Sequence, residues 1–189
     1  MTGTDDERLT QLLFTEHELI LRALTVLEGL ARQVRGGAPL EPAAARRLLD
    51  FFADYADRHH HAKEEDVLFP WMTARGFPSQ GGPLVVMLEE HREGRSCVQA
   101  MNEALGGSAP DAGARFAAVA ERYVDLLRSH IEKENHILFP MADSLGEGTA
   151  GIYTPSPAEL QAAGDLERDA QALVAELEAV ARAGQPAAG

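Results

Sequence analysis

The segment His60-His61-Ala62-Lys63-Glu64-Glu65-Asp66-Val67-Leu68-Phe69-Pro70 returns seventy residues later as His130-Ile131-Glu132-Lys133-Glu134-Asn135-His136-Ile137-Leu138-Phe139-Pro140, and no other feature restricts the fold as strongly. In both copies an HxxxE pair stands just before Leu-Phe-Pro. Residues four apart on an α-helix share a face, so His60 with Glu64, and His130 with Glu134, can each point into one pocket. A lone HxxxE is usually a solvated pair on a helix surface. Its repetition inside the same apolar ending points instead to two imidazoles and two carboxylates that converge as metal ligands.

Each copy closes a long stretch of helical apolar period. Thr4 and Glu7 fit a capping box, and Leu9, Leu12, Leu13, His17, Ile20, Leu21, Leu24 and Leu27 follow on one stripe to about Val34. After a loop at Gly36, Gly37 and Pro39, a second helix opens at Pro42. Its face carries Leu48, Leu49, Phe52 and Ala56, then His60, Glu64 and Leu68, and Pro70 is expected to end or kink it. A third helix runs from Pro83 through Leu84, Met87, Leu88, His91 and Val98 to Gly106 and Gly107; Glu89, Glu90, Arg92 and Glu93 read as its solvated face. The fourth starts near Pro110 and leads through Phe116, Tyr123 and Leu127 to His130 and Glu134. Such a chain packs as an all-α, up-down-up-down four-helix bundle. A Gly-rich stretch of low apparent order, Gly146 to Pro155, precedes a second capping box at Ser156 and Glu159. The last helix carries Leu160, Leu166, Leu173, Leu177 and Val180 but no histidine. It is expected to pack on the outside of the bundle or against a partner subunit. Residues 1–145 then form the bundle, 146–189 form a loop and C-terminal packing helix of the same domain, and the tail from Gly184 is frayed.

Each of the four stripes carries one inward histidine: His17, His60, His91 and His130. With Glu64 and Glu134 they would leave costly unpaired polar groups in the core unless something bound them. Cys97 is the only cysteine, so thiolate-rich zinc and iron–sulfur sites are excluded and any metal must use nitrogen and oxygen. Four imidazoles and two carboxylates suit two iron or manganese ions bridged by Glu64 and Glu134; zinc would also accept them. An added oxo or hydroxo bridge would leave each ion five-coordinate with an open position. His61, Glu65 and His136 are nearby candidates for an extra ligand or an outer hydrogen bond. His59, aligned with Ser129, reads as solvated, and Tyr55 and Tyr123 read as core packing.

The order H…HxxxE…H…HxxxE, with His-His-Ala-Lys-Glu-Glu, Leu-Phe-Pro and Glu90-His91-Arg92-Glu93-Gly94-Arg95, resembles the hemerythrin-like HHE cation-binding proteins over about Leu9 to Ala142. The resemblance implies a four-helix bundle around two iron ions of the Fe–O–Fe type, with His17, His60, Glu64, His91, His130 and Glu134 as ligands. Oxygen-carrying hemerythrins have a fifth histidine one turn after the third-helix one, and here that position is Arg95. The ligand implied is a small diatomic or a peroxide in oxidative or nitrosative stress, with catalysis, oxygen binding or iron storage and donation all open.

The net charge of -13 and the lack of a Lys/Arg cluster argue against nucleic acid as a partner. No apolar run reaches the roughly 20 residues that span a bilayer, and Met1 to Thr10 is polar and acidic, so the expected place is the cytoplasm, as a monomer or homodimer.

Overall fold

In this computed structural model, residues 8–107 and 109–183 are described, and side chains to Ala181. The expected capping box at Thr4 and Glu7 and the tail from Gly184 lie outside them. Helix α1 is Leu9–Arg35. Helix α2, Pro42–Phe51, continues without leaving helical dihedrals through two π-helical stretches, Phe52–His61 and Glu64–Leu68, into α3, Phe69–Ala74. Helix α4 is Pro83–Gly106. Helix α5, Ala112–Lys133, runs through a π-helical stretch, Glu134–Leu138, into α6, Phe139–Asp143. These four rods close into a bundle, with α1 against α5, α5 against α4, α4 against α2 and α2 against α1. The connections 36–41, 75–82 and 107–111 are short enough to turn each rod back along its neighbour.

Neither Pro70 nor Pro140 ends its helix. Proline has no N–H, and its ring crowds the carbonyl four residues back. In both copies the five residues before the Phe-Pro step take the wider i→i+5 turn, which makes room for the ring, and the rod continues. The two π stretches open on the two motif glutamates.

The core has two apolar layers. The larger contains Ile20, Leu24, Phe52, Ala56, Tyr123 and Leu127; the smaller, at the other end, contains Leu9, Leu13, Leu68, Phe69, Met87, Leu138 and Phe139. His17, His60, His91 and His130 lie between them in sequence on every rod, so the polar side chains form one layer sealed above and below.

Helix α7, Pro157–Ala183, lies outside the bundle against α1, α2 and the Phe52–His61 stretch. Its start is the expected capping box: Ser156 N donates to Glu159 Oε2 at 2.7 Å, and Glu159 N to Ser156 Oγ at 3.3 Å. Ala170, Val174 and Leu177 are buried, whereas Leu160 and Val180, expected on the packing face, are 46% and 61% exposed. The face is set by α1 and α2 and not by apolarity alone. The preceding Gly-rich stretch is tied down more firmly than its composition suggests. Fully buried Thr149 donates to Asp143 Oδ1 at 2.6 Å and meets Thr10 Oγ1 at 2.9 Å, while Leu9 N donates to Thr149 O at 3.2 Å.

Surface ion pairs also join α7 to the bundle, among them Arg47 with Glu176. Exposed pairs contribute little, while truncating a buried leucine costs about 2–5 kcal/mol. Leu177→Ala should therefore lower stability by about that amount, and Arg47→Ala should leave the midpoint of urea denaturation unchanged.

Candidate metal centre

The polar layer is built from side chains whose outer nitrogens are all held. His17 Nδ1 donates to Asn135 Oδ1 at 2.7 Å, His60 Nδ1 to Glu16 Oε2 at 2.8 Å, His91 Nδ1 to Glu65 Oε1 at 2.7 Å and His130 Nδ1 to Glu90 Oε2 at 2.9 Å. A carboxylate can only accept, which assigns the proton to Nδ1 in the three carboxylate cases and leaves the Nε2 lone pair facing inward. His17 Nε2 lies 3.3 Å from Glu134 Oε2, and His130 Nε2 lies 3.1 Å from Glu134 Oε1. His60 Nε2 lies 3.6 Å from Glu64 Oε1, and His91 Nε2 lies 3.4 Å from Glu64 Oε2. Each glutamate thus spans a pair of imidazoles from two rods.

All six side chains are at most 1% exposed. His17 Nε2, His60 Nε2 and all four oxygens of Glu64 and Glu134 are buried without a hydrogen-bond partner. Two overlapping donor sets result: His17, His60, Glu64 and Glu134, and His61, Glu64, His91 and His130, with ligand atoms within 4.8 Å of one another in each set. Glu64 belongs to both. Buried nitrogens and oxygens that converge in this way fit cations, and the nitrogen–oxygen donor set fits iron, manganese or zinc.

Phenylalanines of the repeated Leu-Phe-Pro wall the layer. Phe69 lies parallel to His91, with centroids 6.1 Å apart, and Phe139 lies parallel to His17 at 5.5 Å. The motif therefore supplies histidine, glutamate and wall to the layer in one stretch, twice.

Of the extra candidates, His61 and Glu65 come to the site. His61 is buried beside His60, although neighbours on a regular helix diverge by about 100°; both lie in the π-helical stretch, whose wider turn brings successive side chains closer in direction. Distance admits His61 to the second donor set. Its ring stacks on His91 at 3.9 Å between centroids and 16° between planes, and its Nδ1 lies 3.4 Å from Asp57 Oδ1. Glu65 holds His91, and Arg95, where a fifth histidine was sought, holds Glu65 at 2.7 Å and Asp57 at 2.7 Å. His136 points away, its side chain 67% exposed and bonded to Glu132 O.

Three outer partners escaped the sequence reading. Glu16 is 3% exposed and accepts from His59, His60 and Lys63 at 3.0, 2.8 and 2.9 Å. Burial alone would raise its carboxyl, but the bonds from His59 and His60 and the nearby Lys63 charge hold it well below the usual range. His59 is accordingly an outer partner and not a solvated residue. Glu90, expected on the solvated face of α4, accepts from His130 and pairs with Lys133. Asn135 had no signal beyond its place after Glu134.

Residues 8–142 match the family model described as the hemerythrin HHE cation binding domain. The chain belongs to that family: it is a metal-binding helical bundle. Among curated relatives, it is 32% identical over 131 residues to the iron-sulfur cluster repair protein YtfE of Escherichia coli O81 (strain ED1a), covering 66% of this chain and 56% of the relative. The proteins of the same name from Escherichia coli (strain K12 / DH10B) and Shigella boydii serotype 18 (strain CDC 3083-94 / BS512) are 31% identical over the same share. The chain thus spans a little over half the length of these relatives. No solved structure matches significantly.

Burial would lower the pKa of His130, but the carboxylates of Glu134, Glu90 and Glu64 outweigh it and raise it to about 10. A histidine raised above its ordinary 6.5 stabilises the fold fully below that value and ceases to do so as pH climbs through its folded pKa. The metal-free protein should therefore lose stability between pH 6.5 and about 10 on account of His130. Imidazole proton NMR should follow that titration, and Glu90→Gln should shift it downward.

Proposed function

We propose that the chain is a non-haem diiron protein that binds or consumes dioxygen, peroxide or nitric oxide under oxidative or nitrosative stress. The observation that carries this reading is the layer of buried, outward-anchored imidazoles whose inner lone pairs meet two unpartnered carboxylates. His17 and His60 would hold one ion and His91 and His130 the other, with Glu64 and Glu134 shared. When bound, a pair of iron ions supplies Lewis acidity and one-electron redox changes. The chain's own part is to keep the imidazoles aimed, through Asn135, Glu16, Glu65 and Glu90, and to exclude bulk water with Phe69 and Phe139. The names of the relatives support a connection to damage of iron–sulfur centres. They also favour a second reading, donation of iron. We place the chain in the cytoplasm as a monomer or homodimer; no helix among the described residues is long and apolar enough to cross a membrane.

Protein purified from its own host should carry about two iron ions per chain, because six converging ligands exceed what one tetrahedral ion uses. Glu64→Gln combined with Glu134→Gln should abolish that content, and retention of both ions would refute the shared-carboxylate assignment. In stopped-flow mixing with hydrogen peroxide, turnover with oxygen release supports catalysis, whereas a lasting spectral change without turnover supports binding. Ready loss of iron to a chelator supports donation.

Glu16→Ala removes the acceptor that holds His60 and leaves Lys63 without its buried partner. Loss of such an outer bond commonly costs about 10–100-fold in metal affinity, and competition with a chelator should show a loss of that size.

A further inference from the structure

Beside the polar layer, between the Phe52–His61 stretch and α4, is a cavity of about 340 Å3. Its inner end is formed by His61 and His91, its walls by Phe52, Ala53, Gly94, Val98 and Tyr123, and its rim by Asp57, Arg95, Gln99 and Asn102. One water needs only about 10–15 Å3 of such space, so the cavity has room for much more than a diatomic ligand.

We propose that this cavity binds a small uncharged organic molecule with an apolar, ring-sized body and one hydrogen-bonding head, seated with its ring against Phe52 and Tyr123 and its head toward the amide oxygens of Gln99 and Asn102 at the rim. Three observations carry the assignment. The first is size together with lining: the rings of Phe52 and Tyr123 meet edge to face at 5.0 Å, and with Ala53 and Val98 they offer an apolar wall to a flat body. The second is Gly94. Glycine inside a helix is unfavourable relative to alanine, and packing does not demand it here: an added Cβ would meet only Tyr123 Cε2, at an ordinary 3.5 Å. What the missing side chain preserves is open space between α4 and Tyr123. The third is charge. Arg95 is the cation at the rim, and both Asp57 and Glu65 hold it at 2.7 Å, so an anion entering there would have to compete with two resident carboxylates. That favours an uncharged occupant.

The inference rests on the metal reading only for its meaning, since the cavity ends on His61 and His91 of the polar layer. The cavity itself is described without them, and the two can fail separately.

The test is isothermal titration calorimetry of the full, metal-loaded chain with 4-methylphenol, an uncharged ring with a single hydroxyl. The wild type should bind one molecule per chain with a millimolar or tighter Kd, and 4-methylbenzoate should bind more weakly. Gly94→Leu places a good helix former at the site and fills the space, so it should weaken 4-methylphenol binding at least about tenfold while helix content stays unchanged. Val98→Phe fills the cavity from one turn further along and serves should the first variant not fold. Absence of wild-type binding at millimolar 4-methylphenol would overturn the proposal, as would wild-type affinity in both variants. Tighter binding of 4-methylbenzoate would overturn the uncharged class. Low metal content with 4-methylphenol binding intact would count against the diiron reading and leave the cavity assignment standing.

Discussion

The protein depends on one requirement: six polar side chains buried between two apolar layers must stay aimed at a shared interior. An unsatisfied buried polar atom costs about 1–3 kcal/mol, and six such atoms face the interior here. Their combined cost is comparable with the whole stability of a domain, about 5–15 kcal/mol. Cations offset it, and this is why the layer reads as a metal centre and not as an ordinary buried hydrogen-bond network.

Aim comes from outside the layer. Asn135, Glu16, Glu65 and Glu90 each accept a hydrogen bond from Nδ1 of a different imidazole, and three of these four acceptors are held in turn by other groups. Lys63 and His59 hold Glu16, Arg95 holds Glu65, and Lys133 holds Glu90. A buried carboxylate is tolerable only when paired and hydrogen-bonded, so Lys63 is a structural requirement of buried Glu16. Helix α7 extends the same arrangement, since Tyr55 on the second rod donates to Glu167 while its ring packs near His59.

The repeated motif owes its form to the proline at its end. A regular helix would lose a bond and clash at Pro70 and Pro140, and the wide turns that accommodate both rings begin at Glu64 and Glu134. The place of the buried glutamate and the helix distortion are thus coupled in both halves. A further wide stretch, Phe52–His61, has no counterpart before His130, and it is here that the two halves differ: it turns His61 inward beside His60 and borders the cavity under Gly94.

The bundle, the four inward histidines and the two glutamates were legible in the sequence because helical period and residue type are local properties, and a polar residue on an apolar stripe stands out at once. The family followed from the same residues. The wide turns were not legible: the sequence marks where proline is, but whether a helix stops or widens depends on what packs against it. Nor was the separation of Glu90 from its charged neighbours, or of His61 from His136, because rotation about a rod is decided by the rod beside it. The sequence by itself determined which polar side chains would converge between the apolar layers. Only the tertiary structure decided which acceptors orient them, where His61 faces and where a cavity is left open, since those are contacts between residues that are distant along the chain and meet only when the rods pack.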